Sequence, residues 1–472
     1  MAGDPLAPLR PWLGRSIDDC PCGRRHRVPL RRVVAGGGAL EALPDLVREI
    51  VPAGAPVLLL ADPDTREAAG ARAGALLARA SHPVEERLTG REPRCDAATL
   101  AALAGGVRSS PRLLVAAGSG TINDLGKLLA DRLGIPQVTV ATAASMNGYA
   151  SAIAAFTEGG LKRTVPASPP VALVLDAQVL AGAPPRLRAA GFGDLLGKPV
   201  SSADWLLSRA LVDEPVCPTA LRLADAAAAG IRDRAAAIGD GDPGAILALA
   251  VALVLSGISM AVAGASSPAS GGEHLVSHYL DISSPAWGRR PRLHGEQVAV
   301  GTRVSLALYR VLREAGPPDP GASPPPEEDD PALRRLHGHL PPPALASLLA
   351  EARAKRERRP GRRERRVRLA AGWDGLWQDL DRRLAGGEGL AADLRRAGAP
   401  TGFREIGVDP DRAELAVRAA RHMRNRYTVL DLAADLGVLD GFAAHLPRDL
   451  LEGGGAGVPG EPSPGPGPAR RD

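Results

Sequence analysis

Short apolar runs alternate with alanine-rich stretches of helical spacing from about residue 30 to 180, and that alternation of periods predicts βαβ units around a parallel sheet. Four runs read as strands: VLLLAD at Val57–Asp62, LLVAAG at Leu113–Gly118, VTVAT at Val138–Thr142 and VALVLD at Val171–Asp176. Beyond roughly residue 185 the strand signals vanish, and Ala/Leu/Arg segments with helical spacing take over. The expected architecture is an α/β N-terminal domain with a parallel sheet over 1–180, followed by an all-α C-terminal domain over 181–452. Two segments rich in proline and glycine, Gly316–Pro331 and the tail 453–472, are expected to be loop or disorder.

The charge-free run Ala245–Ala265 is long enough to cross a bilayer. It is dominated by alanine, contains Ser256, Gly257, Ser259 and Gly264, lacks an aromatic belt and leads into a histidine cluster, so it reads as a helix buried all round rather than a membrane span. The 472 residues carry a formal charge of +5, with lysine confined to Lys127, Lys162, Lys198 and Lys355. That balance suits an anionic small substrate and does not require nucleic acid. The basic stretch Lys355–Arg366 lacks interleaved aromatics and contains glutamates, and reads as a solvated surface helix broken at Pro360. Cys20, Cys22, Cys95 and Cys217 suggest no disulfide framework, and the first residues lack the basic start and apolar run of a signal peptide. The expectation is a cytoplasmic protein.

Three constellations carry chemistry. Gly118-Ser-Gly-Thr-Ile-Asn-Asp124 ends a predicted strand and opens a helix, where bare glycines and free helix N–H groups can approach a pyrophosphate. The same pattern also serves as an ordinary α/β turn. Thr142-Ala-Ala-Ser145-Met-Asn147-Gly148-Tyr-Ala-Ser151 follows another strand, so it falls on the same carboxyl edge, where open α/β sheets bind ligands. It too could be a simple βα turn with a helix cap. The sharpest is Asp194 with Lys198, then His274 and His278 four residues apart on one helical face, then His294. A carboxylate with two imidazoles suits one divalent metal, zinc, nickel or iron, with coordination positions left open for substrate.

Cys20-Pro-Cys22-Gly with His26 has the look of a metal knuckle, yet no second pair of ligands is apparent, and lightly buried thiols are the plainer account. His337 and His339 read as loop residues. Asp62 is read either as a holder of ribose hydroxyls or as a helix cap.

In order, GSGTIND, TAASMNGYAS, GFGDLLGK, GGEHLVSHY and LHGEQVAVG resemble the sn-glycerol-1-phosphate dehydrogenases, within the iron-alcohol-dehydrogenase and dehydroquinate-synthase-like superfamily. The resemblance spans roughly residues 30 to 310. CPCGRRH and RHMRNRYTVLDLAADLG (Arg421–Gly437) are similar to segments of its bacterial branch. It implies a Rossmann-like first domain in a dehydroquinate-synthase-like fold, with Asp194, His274 and His294 as metal ligands. It further implies that Gly118, Gly120, Thr121, Ile122, Asn123, Asp124, Thr142, Ser145 and Ser151 bind NAD(H) or NADP(H). Asp194, Asn147 and His278 would contact substrate, and Asp124 or His278 would pass a proton. Family members commonly carry aspartate where this chain has Asn147, which keeps a hydrogen-bonding group and removes a charge. Iron-type alcohol dehydrogenases usually place histidine where Lys198 stands; the lysine could instead bind a phosphate, as could Lys127 or Lys162, or each could be a surface charge. Asp194 in place of glutamate argues against the dehydroquinate synthases. The implied reaction is metal-dependent, NAD(P)H-linked reduction of dihydroxyacetone phosphate to sn-glycerol 1-phosphate, serving lipid metabolism, in a homodimer or larger homo-oligomer. The alternatives are another polyol or sugar-phosphate dehydrogenase, or a dehydroquinate-synthase-like lyase.

Overall fold

The computed structural model describes residues 4–158 and 161–454. The side chain of Lys162 and the tail beyond residue 454 lie outside the described residues. Among the described residues ten strands follow in chain order: β1 (Ser16–Ile17), β2 (His26–Arg27), β3 (Arg32–Gly36), β4 (Val57–Ala61), β5 (Val84–Leu88), β6 (Leu113–Gly118), β7 (Gln137–Ala141), β8 (Ile153–Glu158), β9 (Leu161–Pro166) and β10 (Ala172–Asp176). Six form one sheet in the order β3-β10-β7-β6-β4-β5, and every pairing in it is parallel. The four apolar runs of the sequence are β4, β6, β7 and β10. All their residues are buried, because helices cover both faces.

The two edge strands and the hairpins were less visible in sequence. β5 (VEERL) is interrupted by charge because it borders only β4, and Glu85 on it accepts from the Ser109 backbone N–H at 2.7 Å. The strand order reverses between β4 and β6, so their carboxyl ends open a crevice at a topological switch point, the place where such sheets bind ligands. Gly118 and Asp62 stand at those two ends. Asp62 acts as a helix cap: its Oδ1 accepts from Thr65 N at 2.8 Å, and its own N–H donates to Thr65 Oγ1 at 3.0 Å.

After β10 the sheet gives way to helices. The apolar run of the sequence forms the helix Pro243–Ala263, capped by Asp242, whose Oδ1 accepts from Ala245 N at 2.7 Å. Although long and apolar enough to span a membrane, it is buried inside the protein as the centre of the largest apolar cluster. Its core partners include Leu173 of the sheet and Phe192.

The segment Gly316–Pro331 runs without regular structure until a helix begins at Asp330, but it is anchored: Glu328 pairs with Arg362 at 3.2 Å and with Arg421. Helices Pro342–Glu357 and Arg362–Leu384 break around Pro360 as expected, yet this stretch is not simply a solvated face. Lys355, Arg362 and Arg365 are buried. Lys355 Nζ lies 2.5 Å from Asp431 Oδ1, and Arg365 makes a two-pronged pair with Asp435 at 2.6 and 2.7 Å. Likewise His337, in a turn, is fully buried, and its Nδ1 lies 3.1 Å from the Tyr279 hydroxyl while its Nε2 meets His422 at 3.0 Å. His339 stacks on Trp287 at an interplanar angle of 17°.

Candidate active site

The candidate metal ligands come from the starts or ends of three helices, which is how segments distant in sequence reach one point. Asp194 lies near the end of Pro185–Leu196, His274 in the first turn of Gly272–Ser283, and His294 opens His294–Ala315. Glycines set the spacing. Gly193 and Gly295 let two helix backbones touch, since a Cβ on Gly295 would sit 1.8 Å from Ala190 O. One ligand atom from each of Asp194, His274 and His294 falls within 4.8 Å of the others. Asp194 Oδ1 lies 3.5 Å from His274 Nε2, and the rings of His274 and His294 are 4.9 Å apart.

The surrounding hydrogen bonds set the imidazole tautomers. His274 Nδ1 lies 2.7 Å from Glu273 Oε1, an acceptor, so Nδ1 carries the proton and Nε2 presents its lone pair to the Asp194 side. Ser277 Oγ donates to Gln297 Oε1 at 2.9 Å, which leaves it to accept from His294 Nδ1 at 3.1 Å. Gln297 in turn donates to Asp281 at 3.0 Å. Sequence reasoning missed Glu273, Ser277, Asp281 and Gln297, although Glu273 and Ser277 flank the histidines within one helix. Asp281 also shares a second group with His278 and His294. His278 is half-buried, its ring 5.6 Å from that of His294.

Lys198 corrects an expectation. It is fully buried, and its ammonium donates to Asp194 Oδ1 at 2.8 Å and to Ala269 O at 3.0 Å. With no exposed surface it is not a surface charge. Its charge acts on the ligand carboxylate instead. Burial alone would push the Asp194 carboxyl up, but the Lys198 ammonium, the largest opposing influence, helps hold Asp194 well below the usual carboxylate range. Lys127 is likewise not a surface charge. It is buried and donates to Gly148 O at 2.6 Å, Ser151 Oγ at 3.2 Å and Ile153 O at 3.0 Å. Burial pushes its ammonium down, with Asp124, 3.7 Å away, pulling the other way.

The sheet-edge motifs lie beside this centre. Gly118 ends β6, and Gly120 opens the helix Gly120–Leu133 with its Cα facing Met146, which a Cβ would meet at 3.6 Å. Thr142 N donates to Gly118 O at 3.2 Å, joining the two turns. Gly120, Thr121, Asp124 and Ser145 are half-buried, whereas Thr142 and Ser151 are buried. Asp124 Oδ2 accepts from Ala155 N at 2.9 Å. Ile122 packs into the core, and Asn123, with no exposed surface, accepts from Thr139 at 2.9 Å and Gln137 at 3.2 Å. Those two side chains therefore brace the turn and present no surface to a cofactor.

The 142–147 segment presses on the helices: a Cβ on Gly191 would lie 1.9 Å from Ala144 O, and one on Gly257 would lie 2.6 Å from Asn147 O. Asn147 links the two halves directly. Its backbone N–H donates to Asp194 Oδ2 at 3.1 Å, and its side-chain amide reaches Ser256 Oγ at 3.3 Å.

A dinucleotide-type sheet edge fused to an Asp–His–His centre defines a metal-dependent, NAD(P)-linked dehydrogenase, and residues 34–184 match the family model for iron-containing alcohol dehydrogenase. The chain is 32% identical over 440 residues to a glycerol-1-phosphate dehydrogenase (NAD(P)+) of Bacillus licheniformis, covering 91% of this chain and 96% of that one. It is 35% identical over 279 residues to the enzyme of the same name from Methanosarcina acetivorans, covering 59% and 76%. The chain belongs to the glycerol-1-phosphate dehydrogenase family. Its fold is shared by a glycerol dehydrogenase from Schizosaccharomyces pombe, with a TM-score of 0.58, 15% identity and coverage of 88% and 90%. An iron-containing alcohol dehydrogenase from Thermococcus thioreducens shares it too, with a TM-score of 0.55, 17% identity and coverage of 89% and 99%.

Proposed function

We propose that this enzyme reduces dihydroxyacetone phosphate to sn-glycerol 1-phosphate, reversibly, with NADH or NADPH. The observation that carries the reading is the bond from Asn147 N to Asp194 Oδ2, which fixes a metal-ligand set beside the sheet edge in a chain aligned almost end to end with a named glycerol-1-phosphate dehydrogenase. Asp194, His274 and His294 fit one divalent ion, because one ligand atom of each lies within 4.8 Å of the others, the Nδ1 atom of each imidazole is engaged by Glu273 or Ser277, and the carboxylate is held ionised. Such an ion supplies a Lewis acid for the substrate carbonyl, and the nicotinamide supplies the hydride.

The chain's own side chains do the rest. Gly118, Gly120 and the N-terminus of Gly120–Leu133 cradle the cofactor pyrophosphate. Thr121, Asp124, Thr142 and Ser145 line its remaining length, and the buried Ser151 braces the turn behind them by accepting from Lys127 at 3.2 Å. Asn147 holds a substrate hydroxyl or carbonyl through hydrogen bonding. His278, half-buried beside His294 and grouped with Asp281, delivers the proton to the product oxygen from solvent. Lys198 and Glu273 are positioning residues, the first acting on Asp194 and the second on His274.

The test is NADH and NADPH oxidation by chelator-stripped enzyme given dihydroxyacetone phosphate and nickel, zinc or iron, with chiral analysis of the product. Metal-dependent sn-glycerol 1-phosphate, lost in Asp194→Ala, is expected. Turnover of unphosphorylated glycerol alone would move the assignment to another polyol, and product formation without net cofactor change would move it to a lyase.

A further inference from the structure

Far from the active site in sequence, the hairpin β1–β2 carries Cys20, Cys22 and His26 in a Cys-x-Cys-x3-His knuckle. Gly23, at φ +75°, makes the tight turn, and its N–H donates to Cys20 O at 2.9 Å. The neighbouring sequence offers this knuckle no second cysteine or histidine pair. The fold brings one from 197 positions away: Cys217, fully buried at the start of Pro218–Ala229, sits 3.6 Å from Cys20 Sγ.

We propose that Cys20, Cys22, His26 and Cys217 form a second, structural metal site that takes zinc. Cys22 Sγ lies 3.4 Å from Cys20 Sγ and 3.0 Å from His26 Nε2, and Cys217 Sγ lies 3.6 Å from that same nitrogen. All four donor atoms fall within 4.8 Å of one another. A tetrahedral zinc with ordinary bond lengths spaces its ligands by roughly 3.5 to 3.8 Å, so the cluster is close to the required size, slightly contracted. The sulfurs stand too far apart for a disulfide, whose bond is about 2.05 Å, and all the cysteines are free.

Three thiolates and one imidazole complete a tetrahedron from the protein alone, leaving no position for substrate, which marks the site as structural rather than catalytic. The consequence is mechanical. The N-terminal segment, whose Leu6, Leu9, Val28 and Leu30 enter the same apolar cluster as Cys217 and Ala220, leads directly into edge strand β3. A metal here staples that edge of the sheet to the helical region.

The experiment uses full-length Asp194→Ala protein, in which the active-site metal is abolished. Elemental analysis after dialysis against a mild chelator is expected to find about one zinc per chain, released when an organomercurial titrates the thiols. Growth with cobalt should give a thiolate-to-cobalt charge-transfer band that Cys22→Ser removes. If the cysteine variants fail to fold, the cobalt spectrum of the Asp194→Ala protein decides alone. Absence of retained metal, a cobalt spectrum without thiolate ligation, or a Cys20–Cys22 or Cys20–Cys217 disulfide in freshly purified protein would overturn the proposal.

Discussion

Gly295→Ala tests whether backbone contact between two helices sets the active-site geometry. Gly295 adjoins His294, and Gly193, which meets Gly295 O across the helix crossing, adjoins Asp194. An added methyl would lie 1.8 Å from Ala190 O and 2.5 Å from its carbonyl carbon, where no side chain can give way. The helices must part by about 1 Å, which is beyond the roughly 0.5 Å tolerance of a preorganised site. A displacement of that size costs on the order of 100-fold in rate, and the overpacking itself costs about 1–3 kcal/mol of stability. The assay is metal titration of NADH oxidation alongside circular dichroism and chemical denaturation. The expected outcome is a folded protein with weaker metal affinity and kcat/KM about 100-fold lower. Gly372→Ala is the control, since it lies exposed within Arg362–Leu384 with nothing within 4 Å of a new Cβ, and should gain about 1 kcal/mol. A Gly295→Ala enzyme with unchanged metal affinity and turnover would refute the idea that this crossing positions the ligands.

Other outcomes follow from single contacts. Glu273→Gln removes the charge that orients His274 and should weaken metal binding about 10- to 100-fold, read from the same titration; unchanged affinity counts against the orienting role. Lys198→Met should raise the acid limb of the kcat/KM pH profile, because Asp194 loses the cation that holds its pKa down, while a selective rise in KM for the phosphorylated substrate would restore a direct phosphate contact. Burial pushes His337 down to about 3, so between about pH 3 and 6.5 the unfolded chain binds a proton that the folded protein refuses. Stability should therefore fall on acidification through that window by a few kcal/mol, and His337→Gln should flatten the slope measured by denaturation at several pH values; an unaltered slope contradicts it. Arg365→Ala removes the two-pronged partner of the buried Asp435 carboxylate, which keeps Arg362 at 3.1 Å and the Tyr427 hydroxyl at 2.7 Å, and should cost about 1.5–3 kcal/mol, whereas a loss under 1 kcal/mol would show the pair to be dispensable.

The sequence by itself determined the features that local spacing controls. Continuous apolar runs specified β4, β6, β7 and β10, and the glycine-rich turn was placed at the carboxyl end of β6 because strand-to-helix punctuation is written in adjacent residues. The buried character of Pro243–Ala263 was readable from its composition. Residue chemistry singled out Asp194, His274, His278 and His294 as a cluster, the family resemblance chose Asp194, His274 and His294 from it, and the fold brings those three within reach of one another.

Only the tertiary structure decided which way a polar side chain faces and what it meets. Lys127, Lys198, Lys355 and Arg365 look in sequence like surface charges, yet each is buried because a carboxylate or carbonyl waits on a separately folded segment. Asn123 sits inside a cofactor-type motif and serves the sheet, since the helix turns that face toward β7. The fourth member of the Cys20 cluster lies 197 residues away from it. Local periodicity fixes neighbours one turn or one strand position apart; partners that remote depend on how whole helices pack, and that packing is a property of the entire core rather than of any window of sequence.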